Sequence, residues 1–192
     1  MKLSTLITTL QQSPIVNKGD YHYVIHPITD GIPEITPSLL REVTAALKEK
    51  IKPYTPIDKL VTMEAMGIPL ASSLSLEMNI PFTIIRKRSY ELADEHPVKQ
   101  KTGYSESTLF INGLKKKDSI VIVDDVLSTG GTLKAVLHTL KQMKVKVNAV
   151  FVAVDKGDAA KKLSQETGIP IESLVHISVT EKKVHITATN KP

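Results

Sequence analysis

Two adjacent carboxylates, Asp124 and Asp125, follow an unbroken apolar run from Ile120 to Val123, and shortly afterwards the chain reads Ser128-Thr129-Gly130-Gly131-Thr132. Each half of this stretch has its own chemistry. Carboxylates accept hydrogen bonds well from a pair of neighbouring hydroxyls. Glycines let the backbone approach a ligand and turn at positive φ. The N–H groups of such a loop, leading into a helix, bind phosphate. Ser128, Thr129 and Thr132 add hydroxyl donors. Only Val126 and Leu127 separate the halves, so one ribose phosphate can span both. The loop is not a Walker A motif, because no Lys follows the glycines, and the G-x-G-x-x-G of a dinucleotide site is absent.

Such a site needs elements to hold it. The run Ser119 to Val123 suits the centre of a parallel sheet, and ligands of α/β sheets bind beyond the carboxyl ends of the strands. Apolar patterning predicts further strands at Tyr21–Ile25, Ile57–Met63, Phe82–Arg86, Val147–Val154, Ser173–Val179 and Val184–Ala188. Leu3, Leu6, Ile7 and Leu10 lie at helical spacing. Thr36-Pro37 gives an N-cap and a first-turn proline for a helix carried on by Leu40, Val43 and Leu47. Further helices are expected from the turn Glu64–Gly67 to about Met78, over Thr132–Met143, and from Asp158 to Gly168. His26 to Thr36, with Pro27, Asp30-Gly31 and Pro33, has the composition of a loop. The repeated β-α-β order argues for an α/β fold with a central, mostly parallel sheet flanked by helices. Lys87 to Ser107 has no steady period and much charge. It is either a functional lid or a plain surface loop. Asn112-Gly113 after Leu109-Phe110-Ile111 is a hairpin signal, which would make the long segment an excursion between two strands.

Composition narrows the function classes. At 192 residues the chain fits one domain, and with 41% hydrophobic, 4% aromatic residues and no Trp its core must be aliphatic. Cys is absent, which excludes disulfides and thiolate metal sites. The six His show no metal-ligand spacing. Met1 to Leu10 is too short and polar for a signal peptide, and no apolar run suits a membrane span. A cytoplasmic location is expected, without a membrane partner. The net charge of +5 is spread along the chain with few interleaved aromatics, which argues against nucleic acid as a partner.

The segment Asp124 to Thr132 resembles the phosphoribosyl-pyrophosphate motif of the type I phosphoribosyltransferases, and the resemblance extends over nearly the whole chain. Val61 to Gly67 resembles the family's pyrophosphate loop, with Glu64, Ala65, Met66 and Gly67 at its turn. Arg86-Lys87 resembles the pair that opens the flexible loop of adenine-type members, and Tyr104-Ser105 the pair near its end. The stretch His26 to Ser38 suggests the short archaeal-type hypoxanthine/guanine branch. The resemblance implies a single domain over 1–192, with a hood from about 1–36 and a flexible loop over about 87–107. It implies that Asp124 and Asp125 are catalytic and that Ser128 to Thr132 bind the 5-phosphate. Glu64 to Gly67, Arg86 and Lys87 would bind pyrophosphate. It further implies transfer of 5-phosphoribosyl from phosphoribosyl pyrophosphate to a purine base, Mg²⁺ bound through the substrate with no metal site on the protein, and a homodimer.

The base is signalled more weakly. Val150 to Val154 ends in Asp155-Lys156-Gly157, and in 6-oxopurine members a basic residue at this strand end donates to O6. Lys156 then favours hypoxanthine, guanine or xanthine, since an ammonium would face the amino donors of adenine. A solvated strand-end charge is the plainer alternative. Adenine is the runner-up, and Lys99, Lys101 and Gly103 resemble the orotate loop only slightly. Two departures leave the proton-transfer group unassigned. Glu106 follows Ser105 directly, where adenine-type members place a Glu one residue later, and Ser128 stands where larger hypoxanthine–guanine enzymes carry Asp. A phosphoribosyl-pyrophosphate-sensing regulator is the rival from another class. Such a protein would need a DNA-binding domain, for which the stretch before the first core strand is too short.

Overall fold

The alternation of apolar runs and amphipathic stretches resolves, in chain order, into α1 (Ser4–Gln12), β1 (Ile15–Lys18), β2 (Tyr21–Val24), α2 (Pro27–Asp30), α3 (Pro37–Ile51), β3 (Lys59–Met63), α4 (Gly67–Met78) and β4 (Phe82–Ile85). There follow β5 (His96–Thr102), β6 (Ser105–Ile111), β7 (Ser119–Leu127), α5 (Gly131–Gln142), β8 (Lys146–Lys156), α6 (Ala159–Thr167), β9 (Ile171–Val179) and β10 (Val184–Ala188). This computed structural model describes residues 2–19, 21–102 and 105–188, apart from the side chains of residues 18, 100–102, 105–107 and 188.

Six strands form the central sheet in the order β10-β9-β8-β7-β3-β4. All neighbours are parallel except β10, which runs antiparallel to β9 along the edge. Both faces are covered, as parallel sheets require. Side chains alternate across the sheet. Val121 and Val123 of β7 face α1, α3 and α4 with Leu6, Leu47 and Leu70, while Ile120 and Ile122 face α5 and α6 with Val136 and Leu163. The layers are mainly aliphatic among the described residues; buried Phe151 meets Tyr54 edge-on with ring centroids 5.5 Å apart.

Local signals place most boundaries. The Thr36 hydroxyl accepts from Leu39 N–H at 3.4 Å and Pro37 opens α3, as the N-cap pair predicts. Gly168 ends α6 in the left-handed region at φ 71°. Asp158 precedes that helix without a side-chain cap bond.

Three expectations change, and one strand is new. β7 continues past its apolar run to Leu127, because its ladder with β8 extends to Leu127 opposite Asp155. Asp124 and Asp125 therefore lie within a strand and not beyond its end. His26 to Thr36 is not all loop: it holds the single turn α2, whose Ile28 N–H donates to His26 Nδ1 at 3.1 Å and which Gly31 closes at φ 70°. The segment Ile15–Lys18 pairs with Tyr21–Val24 as a separate antiparallel ribbon. Asn112-Gly113 is not the turn of a hairpin. It carries the chain from β6 into the central sheet, pinned by the Thr83 hydroxyl donating to Asn112 O at 3.1 Å. The hairpin is instead β5 with β6, paired from His96 opposite Ile111 to Thr102 opposite Ser105. Part of the charged segment is thus paired strand, and Val98 of β5 and Leu109 of β6 pack in the same layer as α5. Among the described residues, no helix is long and apolar enough to cross a membrane.

Candidate active site

Asp124, Asp125 and the whole of Ser128 to Thr132 line one cavity of about 230 Å³. Its floor is β7, and the N-terminus of α5 closes one end. Gly130 makes the turn from strand to helix at φ 78°, where a Cβ would also sit 2.8 Å from Leu163 Cδ1 and 3.2 Å from Ala159 Cβ. Only glycine suits both the conformation and the close approach of α6. Twelve residues of α5 then aim the positive end of the helix dipole at the loop.

The carboxylates are nearly enclosed, Asp124 at 9% and Asp125 at 8% exposure. Asp125 N–H donates to Asp124 Oδ1 at 3.1 Å. Burial holds both carboxyls above the usual range, and the neighbouring Asp125 charge pushes Asp124 further. A pair in this condition favours ligands that bring hydroxyl donors or positive charge.

The turn after β3 reaches the same cavity through Glu64. The Glu64 carboxylate also gathers the start of the charged segment: Arg86 Nε donates to its Oε2 at 2.9 Å and Lys87 N–H to the same oxygen at 3.1 Å. The Lys87 N–H holds Glu64 below its ordinary pKa, and with help from the Arg86 cation it outweighs the opposing desolvation. The peptide between Glu64 and Ala65 is cis, and Ala65 O accepts from Ile68 N–H at 3.2 Å. Met66 lies beside Gly31 of the α2 turn. Gly67 opens α4 directly against β7, where a Cβ would stand 2.0 Å from Thr62 Oγ1 and 2.5 Å from Asp124 Oδ1. So Glu64, Arg86 and Lys87 form one cluster beside the carboxylates, and Gly67 lets α4 touch Asp124.

Lys156 ends β8 and lines a second cavity of about 130 Å³, which shares Val126 and Ser128 with the first. Tyr21, Tyr23, Val24 and Thr29 close it from the β2 and α2 side. Lys156 is not simply solvated. Its ammonium donates to His22 O at 2.6 Å and stands 3.7 Å from the centroid of the Tyr21 ring. Tyr104 lies outside the described residues, as does the side chain of Ser105.

Several further side chains reach the site without having been singled out by motif or spacing. The Tyr21 hydroxyl bonds Ser128 Oγ at 3.1 Å. Tyr23 donates to Asp30 Oδ1 at 2.9 Å, while Asp30 Oδ2 accepts from His26 N–H and the Thr29 hydroxyl. Asp155, next to Lys156, is buried against His176 Nδ1 at 3.3 Å, and burial raises its carboxyl although His176 opposes this. The alternation of Tyr21 and Tyr23 along one short strand was the available clue, but their partners lie far along the chain.

A mostly parallel sheet with a carboxylate pair on an inner strand, and a glycine turn from that strand into a helix, defines an α/β fold of the ligand-binding kind. Residues 34–177 match the phosphoribosyl transferase domain, and the chain belongs to the phosphoribosyl transferase family. It is 48% identical over 178 residues to the hypoxanthine/guanine phosphoribosyltransferase of Methanocaldococcus infernus, covering 93% of this chain and 97% of that one. It is 45% identical over 184 residues to the enzyme of the same name from Methanothermus fervidus, covering 96% and 97%. Among solved structures, adenine phosphoribosyltransferase from Giardia lamblia with 9-deazaadenine superposes at a TM-score of 0.76 with 20% identity, over 93% of this chain and 99% of that one. The yeast adenine phosphoribosyltransferase superposes at 0.74 with 20% identity, over 89% and 97%. These structures share the type I fold that the sequence resemblance implies.

Proposed function

We propose that this protein serves purine salvage, transferring 5-phosphoribosyl from phosphoribosyl pyrophosphate to N9 of hypoxanthine or guanine. The C1′–oxygen bond to pyrophosphate breaks and a C1′–N9 bond forms. The purine N9 proton passes to solvent, and the products are the nucleoside monophosphate and pyrophosphate. The observation that carries the reading is the contiguity of two cavities, one lined by Asp124, Asp125 and the Ser128–Thr132 loop, the other by Lys156, with Ser128 and Val126 between them. The relatives at 45–48% identity support the choice of base.

In this reading Ser128, Thr129, Gly130, Gly131 and Thr132 hold the 5-phosphate. Asp124 and Asp125 accept the ribosyl hydroxyls and face the positive charge that builds on the ring as the bond breaks. Glu64 holds Arg86 and Lys87 where their donors can meet the leaving pyrophosphate, beside the N–H groups of Ala65, Met66 and Gly67. Lys156 donates to the O6 acceptor of the base, and its ammonium would be mismatched to the amino group of adenine. The buried carboxyl pair, raised by burial, fits a divalent cation carried on the substrate, so we extend the reading to Mg²⁺ chelated by ribosyl hydroxyls and pyrophosphate. When bound, Mg²⁺ would neutralise charge on the leaving group. A homodimer and a cytoplasmic location complete the proposal.

The test is pyrophosphate release from phosphoribosyl pyrophosphate and Mg²⁺ across a panel of hypoxanthine, guanine, xanthine and adenine. Hypoxanthine or guanine should lead, and absence of release with every base would overturn the reading. Asp125→Asn should lower kcat/KM by about 10²-fold or more, the scale for losing a charge contact in a dry site. Wild-type kinetics in that variant would remove the ribose-hydroxyl role. Lys156→Leu should damage hypoxanthine and guanine use more than adenine use, and equal losses would remove Lys156 from base recognition.

A further inference from the structure

Tyr21 touches both halves of the site at once. Its hydroxyl bonds Ser128 Oγ at 3.1 Å, and its ring lies under the Lys156 ammonium, 3.7 Å from centroid to Nζ. Lys156 also donates to the carbonyl of His22, the next residue on the same strand, at 2.6 Å. Two of the groups that fix Lys156 therefore belong to β2. That strand pairs with β1 alone, outside the central sheet. The arm makes polar contact with the body through this lysine, through Ser128 and through the bond from Tyr23 to Asp30. Tyr21 itself is 42% exposed, so little packing fixes its side chain. Burial raises its hydroxyl, but Lys156 and Ser128 outweigh this and leave it below the ordinary phenol range. The phenol is thus electrically linked to both partners.

Ser128 Oγ is an atom that a phosphate dianion in the loop would claim. A charged acceptor holds a hydroxyl donor more strongly than a phenol does. The bond can run either way; with Ser128 as the donor, an arriving phosphate takes its one hydrogen from Tyr21 and loosens the ring that covers Lys156. We propose that Tyr21 is a positioning residue that couples the two subsites, its hydroxyl registering phosphate at Ser128 and its ring setting where the Lys156 ammonium sits for the base. The inference rests on reading Ser128 as a phosphate contact and Lys156 as a base contact. Coupling between sites is reciprocal, so phosphate must strengthen base binding by the factor with which base strengthens phosphate binding. One neutral hydrogen bond sets that factor at roughly two- to tenfold.

The experiment is calorimetric titration of the full chain with hypoxanthine, with and without saturating ribose 5-phosphate, for wild type, Tyr21→Phe and Tyr21→Leu. Wild type should bind hypoxanthine roughly two- to tenfold tighter with ribose 5-phosphate. In Tyr21→Phe the hydroxyl is gone and the ring remains, so the ratio should fall to about one while the preference for hypoxanthine over adenine persists. Tyr21→Leu should lose both the ratio and part of the preference. A wild-type ratio near one, a Tyr21→Phe ratio equal to wild type, or an unchanged preference in Tyr21→Leu would each overturn the coupling. A merely structural role would not separate the two aromatic variants in this way. Lys156→Leu distinguishes the two levels of failure. Unchanged base preference there defeats the base-contact reading itself. A changed preference there with an intact ratio in Tyr21→Phe defeats the coupling alone.

Discussion

Replacing Gly67 by Ala puts a methyl group where the first turn of α4 meets β3 and β7. The new carbon would lie 2.0 Å from Thr62 Oγ1, 2.5 Å from Asp124 Oδ1 and 3.3 Å from Val123 O. An ordinary carbon–oxygen contact is about 3.4 Å, so the first two distances fall short by roughly 1.4 and 0.9 Å, and packed interiors have little free space to absorb this. Thr62 is fully buried, and Asp124 is held in the strand. Either α4 retreats by about an ångström or both side chains leave their rotamers. Overpacking of this kind costs typically about 1–3 kcal/mol. For a chain of this size each kcal/mol lowers Tm by roughly 2–4 °C, so the expected drop is about 2–12 °C with folding retained. The effect on turnover should be larger, because a shift of about 1 Å in a positioned group costs on the order of 10²-fold. Thermal unfolding followed by circular dichroism, with kcat/KM from pyrophosphate release, measures both. Adding Thr62→Ala removes the worse clash and should recover part of the Tm but little activity, since Asp124 Oδ1 remains in the way. A Gly67→Ala protein with unchanged Tm and kinetics would refute the close packing. Lowered Tm with full activity would refute the tie between the seat of α4 and the carboxylates.

Stability should also fall in mild acid through His26. Burial depresses its pKa from 6.5 to about 4 against a weak opposing pull from Asp30, so the folded chain keeps the ring neutral while the unfolded chain takes up a proton below pH 6.5. The contribution is complete above that pH and is lost as pH falls towards 4, the loss reaching about 2 kcal/mol at pH 5. Urea unfolding at pH 7.5 and 5 should show this slope in wild type and a reduced one in His26→Gln, and equal slopes would exclude His26 as its source. Gly130→Ala combines a left-handed backbone with a methyl 2.8 Å from Leu163 Cδ1. It should cost about 1–3 kcal/mol by chemical denaturation and raise KM for phosphoribosyl pyrophosphate, and an unaffected KM would mean the loop does not carry the phosphate.

What the sequence disclosed follows from how local each interaction is. The cradle from Asp124 to Thr132 is contiguous, and strand, glycine turn and helix start all lie within it. The Thr36-Pro37 cap and the Gly168 stop are equally local, and their boundaries emerge as expected. The end of β7 was harder to see, because apolar patterning stops at Val123 while hydrogen bonding to β8 continues to Leu127. Asn112-Gly113 has the composition of a hairpin turn, yet the pairing partner of β6 precedes it. The β1 strand is short and half polar, so only its pairing with β2 makes it a strand. Tyr21 was hidden most completely. Its partners Ser128 and Lys156 are 107 and 135 residues away, and a contact of that span leaves no periodicity to detect.

The seating of α4 against Asp124 has a consequence for how such a protein can change over time. Because Gly67 leaves no slack between the turn after β3 and the strand carrying the carboxylates, those two parts form one inherited unit, in which a substitution on either side disturbs both. The β1–β2 arm, which packs on the core through Ile15 and Val24 and bonds Ser128 and Lys156 through Tyr21 and His22, does not share that contact. On the proposed reading, variation there would alter which base is admitted while the contact between Gly67 and Asp124 is kept. For redesign toward a new acceptor, Tyr21, Tyr23 and Lys156 are therefore a small set of positions that can be varied with Gly67 and Asp124 left untouched.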